Sequence, residues 1–174
     1  DHILLASRRG KAIRFAAEDV RLFRGRNSVG VRGMRLLNED KLVSMCVIRD
    51  PEQEFVLSIT ENGYGKRTSV GEYRKAGRGG QGVANIETSV RNGLVVASFT
   101  VFAEDQLMLV TDAGKVIRIR VDGGEGDVIR IAGRKTQGVR LFEVDGEEKV
   151  VSVGIIRDVD DGHDTDDNLS LIHI

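Results

Sequence analysis

Short runs of apolar residues, often alternating with polar ones, repeat along the whole chain. In the run KVIRIRV, Ile117, Ile119 and Val121 fall at every second position, with Arg118 and Arg120 between them. Side chains on a strand point to opposite faces in turn, so this spacing predicts a strand with an apolar inner face and a cationic outer face. The pattern favours an all-β protein over a helical one.

The same alternation occurs earlier in the chain, where Ile13 and Phe15 flank Arg14. We therefore expect Arg14 to lie on the solvent side of a corresponding strand. The composition agrees with short strands joined by tight turns, since the chain has 21 glycines and a single proline. Glycine supplies the positive φ angles that such turns require.

One motif, GRxxxGV, organises the sequence into repeats. It begins at Gly25, Gly77 and Gly133, so its copies are 52 and 56 residues apart. About four apolar runs of strand length accompany each copy, which is typical of a propeller blade. We expect one four-stranded blade per repeat, with positive φ at the motif glycines. The predicted blades are 1–50, 51–104 and 105–158.

The charges are distributed unevenly along the chain, although the net charge is only −1. Residues 1–140 contain 24 Lys and Arg against 17 Asp and Glu, whereas residues 141–174 contain 2 against 10. This asymmetry predicts a basic body that meets a polyanion and an acidic tail that competes for the same surface. We expect residues 159–174 to form a disordered tail, although the final LSLIHI fits neither tail nor repeat.

Basic residues recur at equivalent places in successive repeats. A charged residue on a strand is commonly just part of a solvated face, but a periodic cationic rim matches a periodic anion such as a nucleic acid. Single-strand binders rely on aromatic stacking, and this chain has no Trp, two Tyr and six Phe, so duplex phosphates are the predicted ligand. The candidate contacts are Arg26, Arg32, Lys66, Arg67, Arg74, Lys75, Arg78, Lys115, Arg134, Lys135 and Arg140.

Other chemistry finds little support in the sequence. The segment GRGGQG formally satisfies GxGxxG, but the following VANIET predicts a strand where a dinucleotide site needs a helix. The three histidines, His2, His163 and His173, lack metal-ligand spacing, and no residues suggest a nucleophile or a proton-transfer pair. We expect neither a metal site nor a catalytic site.

The single cysteine and the chain's hydropathy bear on its compartment. Cys46 lies in the apolar run LVSMCVI, so a buried, inert thiol is the simplest interpretation, and no intrachain disulfide can form. No apolar stretch approaches the length of a membrane span, and no secretion signal is recognisable. These features predict a cytoplasmic protein without membrane partners or a small-molecule substrate.

Four segments resemble one known family: ENGYGKRT, VRNGL, VTDAGKVIRIRV and GRKTQGV are similar to the C-terminal domain of the bacterial DNA gyrase A protein. The resemblance extends to about residue 158. It implies the last three blades of a six-bladed β-pinwheel that wraps double-stranded DNA and so supports ATP-dependent negative supercoiling. It also implies that the partners are the rest of gyrase A together with gyrase B, and that ATP and Mg are used elsewhere, with no cofactor in this domain. Neither Tyr64 nor Tyr73 matches the tyrosine that cleaves DNA.

The family's heptapeptide QRRGGKG has no intact copy in this chain. Its nearest relative is AGRGGQG at 76–82, where Ala76, Gly77 and Gln81 replace Gln, Arg and Lys. Two alternatives remain open at this point. One is the corresponding C-terminal domain of topoisomerase IV, and the other is a propeller that scaffolds proteins. A scaffold would expose aromatic or aliphatic anchors in its loops, and the sequence leads us to expect none.

Overall fold

The protein, represented by a computed structural model, is described over residues 1–124, 128–157 and 170–173. The predicted all-β class is confirmed, and the only helical elements in these residues are two short 3-10 turns, Ala17–Asp19 and Val70–Glu72. The strands are β1 (His2–Ser7), β2 (Lys11–Ala16), β3 (Leu42–Ile48), β4 (Phe55–Thr60), β5 (Tyr64–Ser69), β6 (Val83–Ala84), β7 (Val95–Val101), β8 (Gln106–Thr111), β9 (Val116–Arg120), β10 (Val139–Arg140), β11 (Val150–Arg157) and β12 (Ser170–His173).

The strands form three antiparallel sheets of four, in the orders β3-β1-β2-β6, β10-β5-β4-β7 and β12-β11-β8-β9. The expectation of four-stranded sheets is confirmed. However, the first two sheets each take one strand from the next repeat, since β6 belongs to the second repeat and β10 to the third. We call β6 and β10 the exchanged strands. In both cases the exchanged strand is the end of the GRxxxGV motif, and it pairs with the second strand of the preceding sheet.

The two exchanged strands dock in the same register. Val83 of β6 pairs with Ala12, and Val139 of β10 pairs with Gly65. The glycine before each valine has positive φ, +77° at Gly82 and +73° at Gly138. A β-carbon at Gly82 would lie 2.3 Å from the Ala12 carbonyl oxygen, so glycine is required there for close approach as well as for conformation. The prediction of positive φ holds for this second motif glycine and not for the first.

Apolar side chains pack between the sheets. The strands β3, β7 and β11 lie at the inner side of the array, where β7 contacts both of the others. Leu57, Phe99 and Leu109 belong to the largest core cluster, which joins the second and third sheets. Tyr73 and Val56 belong to a second cluster that joins the first sheet to the second repeat. Each sheet therefore buries its apolar face against its neighbour, as stacked repeats require.

A buried polar network supports the same junction. Asn85 accepts a hydrogen bond from the Tyr73 hydroxyl at 2.5 Å and donates to Ser98 Oγ at 2.7 Å. Ser58 donates to the Asn85 side-chain oxygen at 3.2 Å, and Ser44 donates to the Ser98 carbonyl oxygen at 2.7 Å. All of these residues are buried. Asn85 is therefore the centre of a satisfied network whose members come from both the first and the second repeat.

Replacing Asn85 by alanine should destabilise the protein by about 2 kcal/mol, because the buried Tyr73 and Ser98 groups would lose their partners. Chemical denaturation followed by circular dichroism measures the change. The matched control is Asn27→Ala, which alters an asparagine in an exposed turn. Equal free energies of unfolding for the two variants would show that the network does not stabilise the fold.

The charged strand faces agree only in part with the prediction. Arg118 and Arg120 on β9 are exposed, as expected, whereas Arg14 on β2 is only 5% exposed. Arg14 Nη1 donates to the carbonyl oxygens of Val70 and Tyr73, at 3.1 and 3.3 Å. The expectation for Arg14 was wrong because the linker of the second repeat crosses over β2 and covers it. Burial also lowers the pKa of Arg14.

Most of the predicted acidic tail, 159–169 and Ile174, lies outside the described residues. Ser170–His173 form β12, which pairs antiparallel with β11, so these four residues belong to the third sheet. In the described part of the chain, no helix has the length and apolar character needed to span a membrane.

Candidate nucleic-acid interface

Three stretches of the chain form the outer side of the array, at and beside the exchanged strands. We call residues 20–37, 73–86 and 128–142 the outer segments. They contain five, three and four Lys or Arg residues, twelve in all, and not one Asp or Glu. Cationic segments without carboxylates of their own attract a polyanion.

The outer segments touch one another and so form one continuous edge. The Gly79 amide donates to the Gly33 carbonyl oxygen at 2.6 Å, and the Arg35 amide donates to the Gly80 carbonyl oxygen at 2.8 Å. The third segment joins the second through Arg134 Nη1, which donates to the Ala84 carbonyl oxygen at 2.8 Å. Segments that carry cations in different repeats are thereby brought into contact.

Five of the predicted contacts are exposed on this edge with their side chains unengaged. Within the described residues, these side chains form no hydrogen bond or ion pair. A phosphate could therefore bind them without first breaking an internal contact. They are Arg26, Arg32, Arg74, Lys75 and Lys135.

Arg78 and Arg134 are the motif arginines of the second and third repeats. Their side chains donate hydrogen bonds to backbone carbonyl oxygens of the preceding repeat. Arg78 Nη1 donates to the carbonyl oxygen of Arg32 at 3.3 Å, and its Nε donates to that of Asp19 at 3.0 Å. Arg134 makes the equivalent bond to Ala84. Each arginine thus ties its outer segment to the preceding one. Arg140 is exposed, and its guanidinium donates to the Tyr64 hydroxyl at 3.1 Å.

Two predicted contacts, Lys66 and Arg67, are buried and do not belong to the exposed edge. Lys66 is 0% exposed and Arg67 is 7% exposed. Arg67 Nε donates to the Ile129 carbonyl oxygen at 2.8 Å, and Lys66 Nζ donates to three carbonyl oxygens of the third repeat. Burial lowers the pKa of Lys66 to about 8. The sequence indicated two exposed cations because the covering segment lies more than sixty residues away.

Lys115 lies apart from the outer segments, in the turn between β8 and β9. Its Nζ is 3.4 Å from Glu148 Oε2 and 3.6 Å from Asp145 Oδ2. A hydrogen bond from Thr111 lowers the pKa of Glu148. The same corner is lined by Asp112, Asp145 and Glu147, so its surroundings are acidic. These ion pairs occupy the Lys115 ammonium, and the acidic surroundings disfavour a phosphate there. Among the described residues, no cluster of three or more His, Cys, Asp or Glu could hold a metal ion.

Several exposed cations of the outer segments lie outside the residues predicted from the repeated motif. Arg21, Arg24, Arg35 and Arg130 lie there, and a search for long stretches without carboxylates would have found them. The expectation that no aliphatic side chain stands exposed in the loops was also wrong. Leu22 is 95% exposed and Val29 is 101% exposed in the first outer segment, and Val90 is similarly open.

The architecture and the basic edge together define the class of the protein. Three four-stranded sheets, stacked around inner strands and linked by exchanged outer strands, form a β-propeller-like array of the β-pinwheel type. Its edge has the composition of a polyanion-binding surface.

Sequence comparison gives the family. The model of the DNA gyrase C-terminal domain, described as a beta-propeller, matches residues 1–48, 54–101 and 105–157. The chain therefore belongs to the DNA gyrase C-terminal domain family. It is 43% identical to the DNA gyrase A protein of Klebsiella oxytoca over 166 residues, covering 95% of this chain and 18% of that protein. It is 38% identical to the gyrase A protein of Rickettsia conorii over 202 residues, covering 90% of this chain and 22% of that protein.

Solved structures agree with this assignment. The DNA gyrase A C-terminal domain superposes with a TM-score of 0.76 at 28% identity, covering 88% of this chain and 50% of that one. The C-terminal domain of DNA topoisomerase IV superposes with a TM-score of 0.80 at 24% identity, covering 90% of this chain and 46% of that one, which shows a shared fold. The chain spans about a fifth of the length of its gyrase relatives, and the family model that it matches is that of their C-terminal domain.

Proposed function

We propose that this domain binds and wraps duplex DNA, without reading its sequence, along the edge formed by the outer segments. The observation that carries the proposal is the separation of charge, with twelve Lys and Arg and no carboxylate in three segments that lie in contact. The polyanion it fits is the phosphate backbone. Free arginine and lysine side chains are suited to phosphates, while the scarcity of aromatic residues argues against base stacking.

Cations lie on successive repeats. This arrangement supports bending of the duplex around the domain rather than contact with a straight duplex at one place. Bending 20–30 bp of duplex by 40–90° costs of order 1–6 kcal/mol. Several phosphate contacts, made one repeat after another along the edge, can offset that cost. In the family context, the bent duplex would be presented to the rest of gyrase A and to gyrase B, which supply strand passage and ATP hydrolysis. The domain's own contribution is thus to fix the path of the DNA during negative supercoiling.

Binding should be strongly salt-dependent, because each neutralised phosphate releases counterions. We expect a slope of roughly −3 to −6 in a plot of log affinity against log salt concentration. A mobility-shift series with short and long duplexes across salt concentrations measures it. The expected result is weak sequence preference and tighter binding of the long duplex. A slope near zero would contradict binding through phosphate contacts. Failure to shift either duplex would contradict DNA binding and favour the protein-scaffolding alternative.

A further inference from the structure

We propose that Lys66 is a positioning residue that holds turn 133–138 in the shape that presents Lys135 to the DNA. This inference rests on the proposed function. Lys66 lies on β5, in the second repeat, and the turn belongs to the third. Its role is therefore to join two repeats beneath the basic edge. It does not contact phosphate itself, since its side chain is buried.

The Lys66 ammonium is hydrogen-bonded to several oxygen atoms of one turn, and we call this arrangement the clamp. Nζ donates to the carbonyl oxygens of Gly133, Arg134 and Thr136 at 2.5, 2.7 and 3.0 Å. It also lies 3.1 Å from Thr136 Oγ1. Three carbonyls of one short turn therefore converge on a single amino group. Lys135 stands between two of the residues so held, and its side chain is exposed.

The charged surroundings of Lys66 fit a fixed, buried cation. Glu72 and Arg134 are the charged groups that act on it. The Glu72 carboxylate lies near Gly133, where a β-carbon would be 3.7 Å from Glu72 Oε1. An ammonium removed from water is tolerated only when hydrogen-bonded, so the carbonyls and Lys66 stabilise each other.

At the first sheet, the equivalent turn is supported by an uncharged side chain. The two turns can therefore be compared within one protein. Aligning the exchanged strands by their register places Ile13 at the position of Lys66, and Gly80 at the position of Thr136. A β-carbon at Gly80 would lie 3.5 Å from Ile13 Cδ1, so the isoleucine side chain lies directly beneath this glycine. One turn is packed on an apolar side chain and the other is hydrogen-bonded to a lysine. The two pairs, isoleucine with glycine and lysine with threonine, are alternative ways to support one turn.

The first test replaces Lys66 by methionine. Loss of the charge-assisted hydrogen bonds should accelerate amide exchange in turn 133–138 by at least about tenfold. Because Lys135 would no longer be held in place, the salt slope for duplex binding should become shallower by about 0.9, the contribution of one phosphate. Lys41→Met removes an exposed lysine outside the outer segments and should change neither the exchange nor the slope.

The second test places the residue pair found at the first sheet, isoleucine with glycine, at the equivalent positions 66 and 136. The double variant Lys66→Ile with Thr136→Gly should restore slow exchange in the turn, whereas Lys66→Ile alone should not. If Lys66→Ile only destabilised the whole protein, adding Thr136→Gly would not slow amide exchange in the turn. Unchanged amide exchange in Lys66→Met, or exchange in the double variant that is as fast as in Lys66→Ile or faster, would overturn the clamp. Failure of the unaltered protein to bind duplex would overturn the proposed function and the DNA part of this inference, while the exchange data would still decide whether Lys66 supports the turn.

Discussion

Replacing Arg26, Lys75 and Lys135 together by glutamate is expected to weaken duplex binding by about a hundredfold or more near 0.15 M salt. The three residues represent the three outer segments, and each is exposed with its side chain unengaged among the described residues. Three lost phosphate contacts would remove about 2.7 from the salt slope, which corresponds to roughly a hundredfold between 1 M and 0.15 M salt. Reversed charges add repulsion to this loss. Fluorescence anisotropy with a labelled long duplex measures both affinity and slope.

The matched control reverses Arg8, Lys41 and Arg49, three exposed cations outside the outer segments. The control has the same net charge as the test variant, so the comparison separates the position of the charges from their number. We expect its affinity to fall by much less and its slope to stay close to that of the unaltered protein. Similar losses in both variants would show that DNA does not follow the edge formed by the outer segments.

Replacing Gly82 by alanine should destabilise the protein more than any other change to the second motif, by about 3 kcal/mol or more. Gly82 has a φ of +77°, which itself disfavours alanine by about 1 kcal/mol. The added methyl group would also lie 2.3 Å from the Ala12 carbonyl oxygen and 2.8 Å from its carbonyl carbon. Since neither backbone atom can move without breaking the pairing of β6 with β2, the exchanged strand should detach. Differential scanning calorimetry measures the loss.

Gly77→Ala provides the control within the same turn. A β-carbon at Gly77 would have no atom within 4 Å, and this glycine does not have positive φ. We expect a change within about 0.5 kcal/mol, as for an ordinary surface substitution. If both variants melted at the same temperature, close approach at Gly82 would not be what joins the first two repeats.

Sequence reasoning anticipated the features that depend on neighbouring residues. The alternation around Ile117 and Ile119 predicted β9, and the spacing of the GRxxxGV copies predicted three equivalent units. Positive φ at Gly82 and Gly138 followed from the same motif. These properties are set locally, by the period of side-chain direction and by the steric freedom of glycine.

The features that escaped prediction depend on contacts distant in sequence. Arg14 and Lys66 have the sequence context of exposed strand residues, and each is covered by chain from the following repeat. The exchange of strands was missed for the same reason, since an isolated motif copy does not indicate which sheet receives it. Exposure was therefore predicted correctly at Lys75 and Lys135, whose contact with DNA stays a prediction. Exposure was predicted wrongly where the next repeat buries the cation, as at Lys66.

The exchanged strands also determine how the array can come apart. A sheet whose outermost strand belongs to its successor cannot unfold alone, because its loss strips a partner from the next repeat and leaves a bare edge behind. The links between successive repeats are thus the same short strands that lie in the outer segments, so a change that detaches an exchanged strand would also displace the cations beside it.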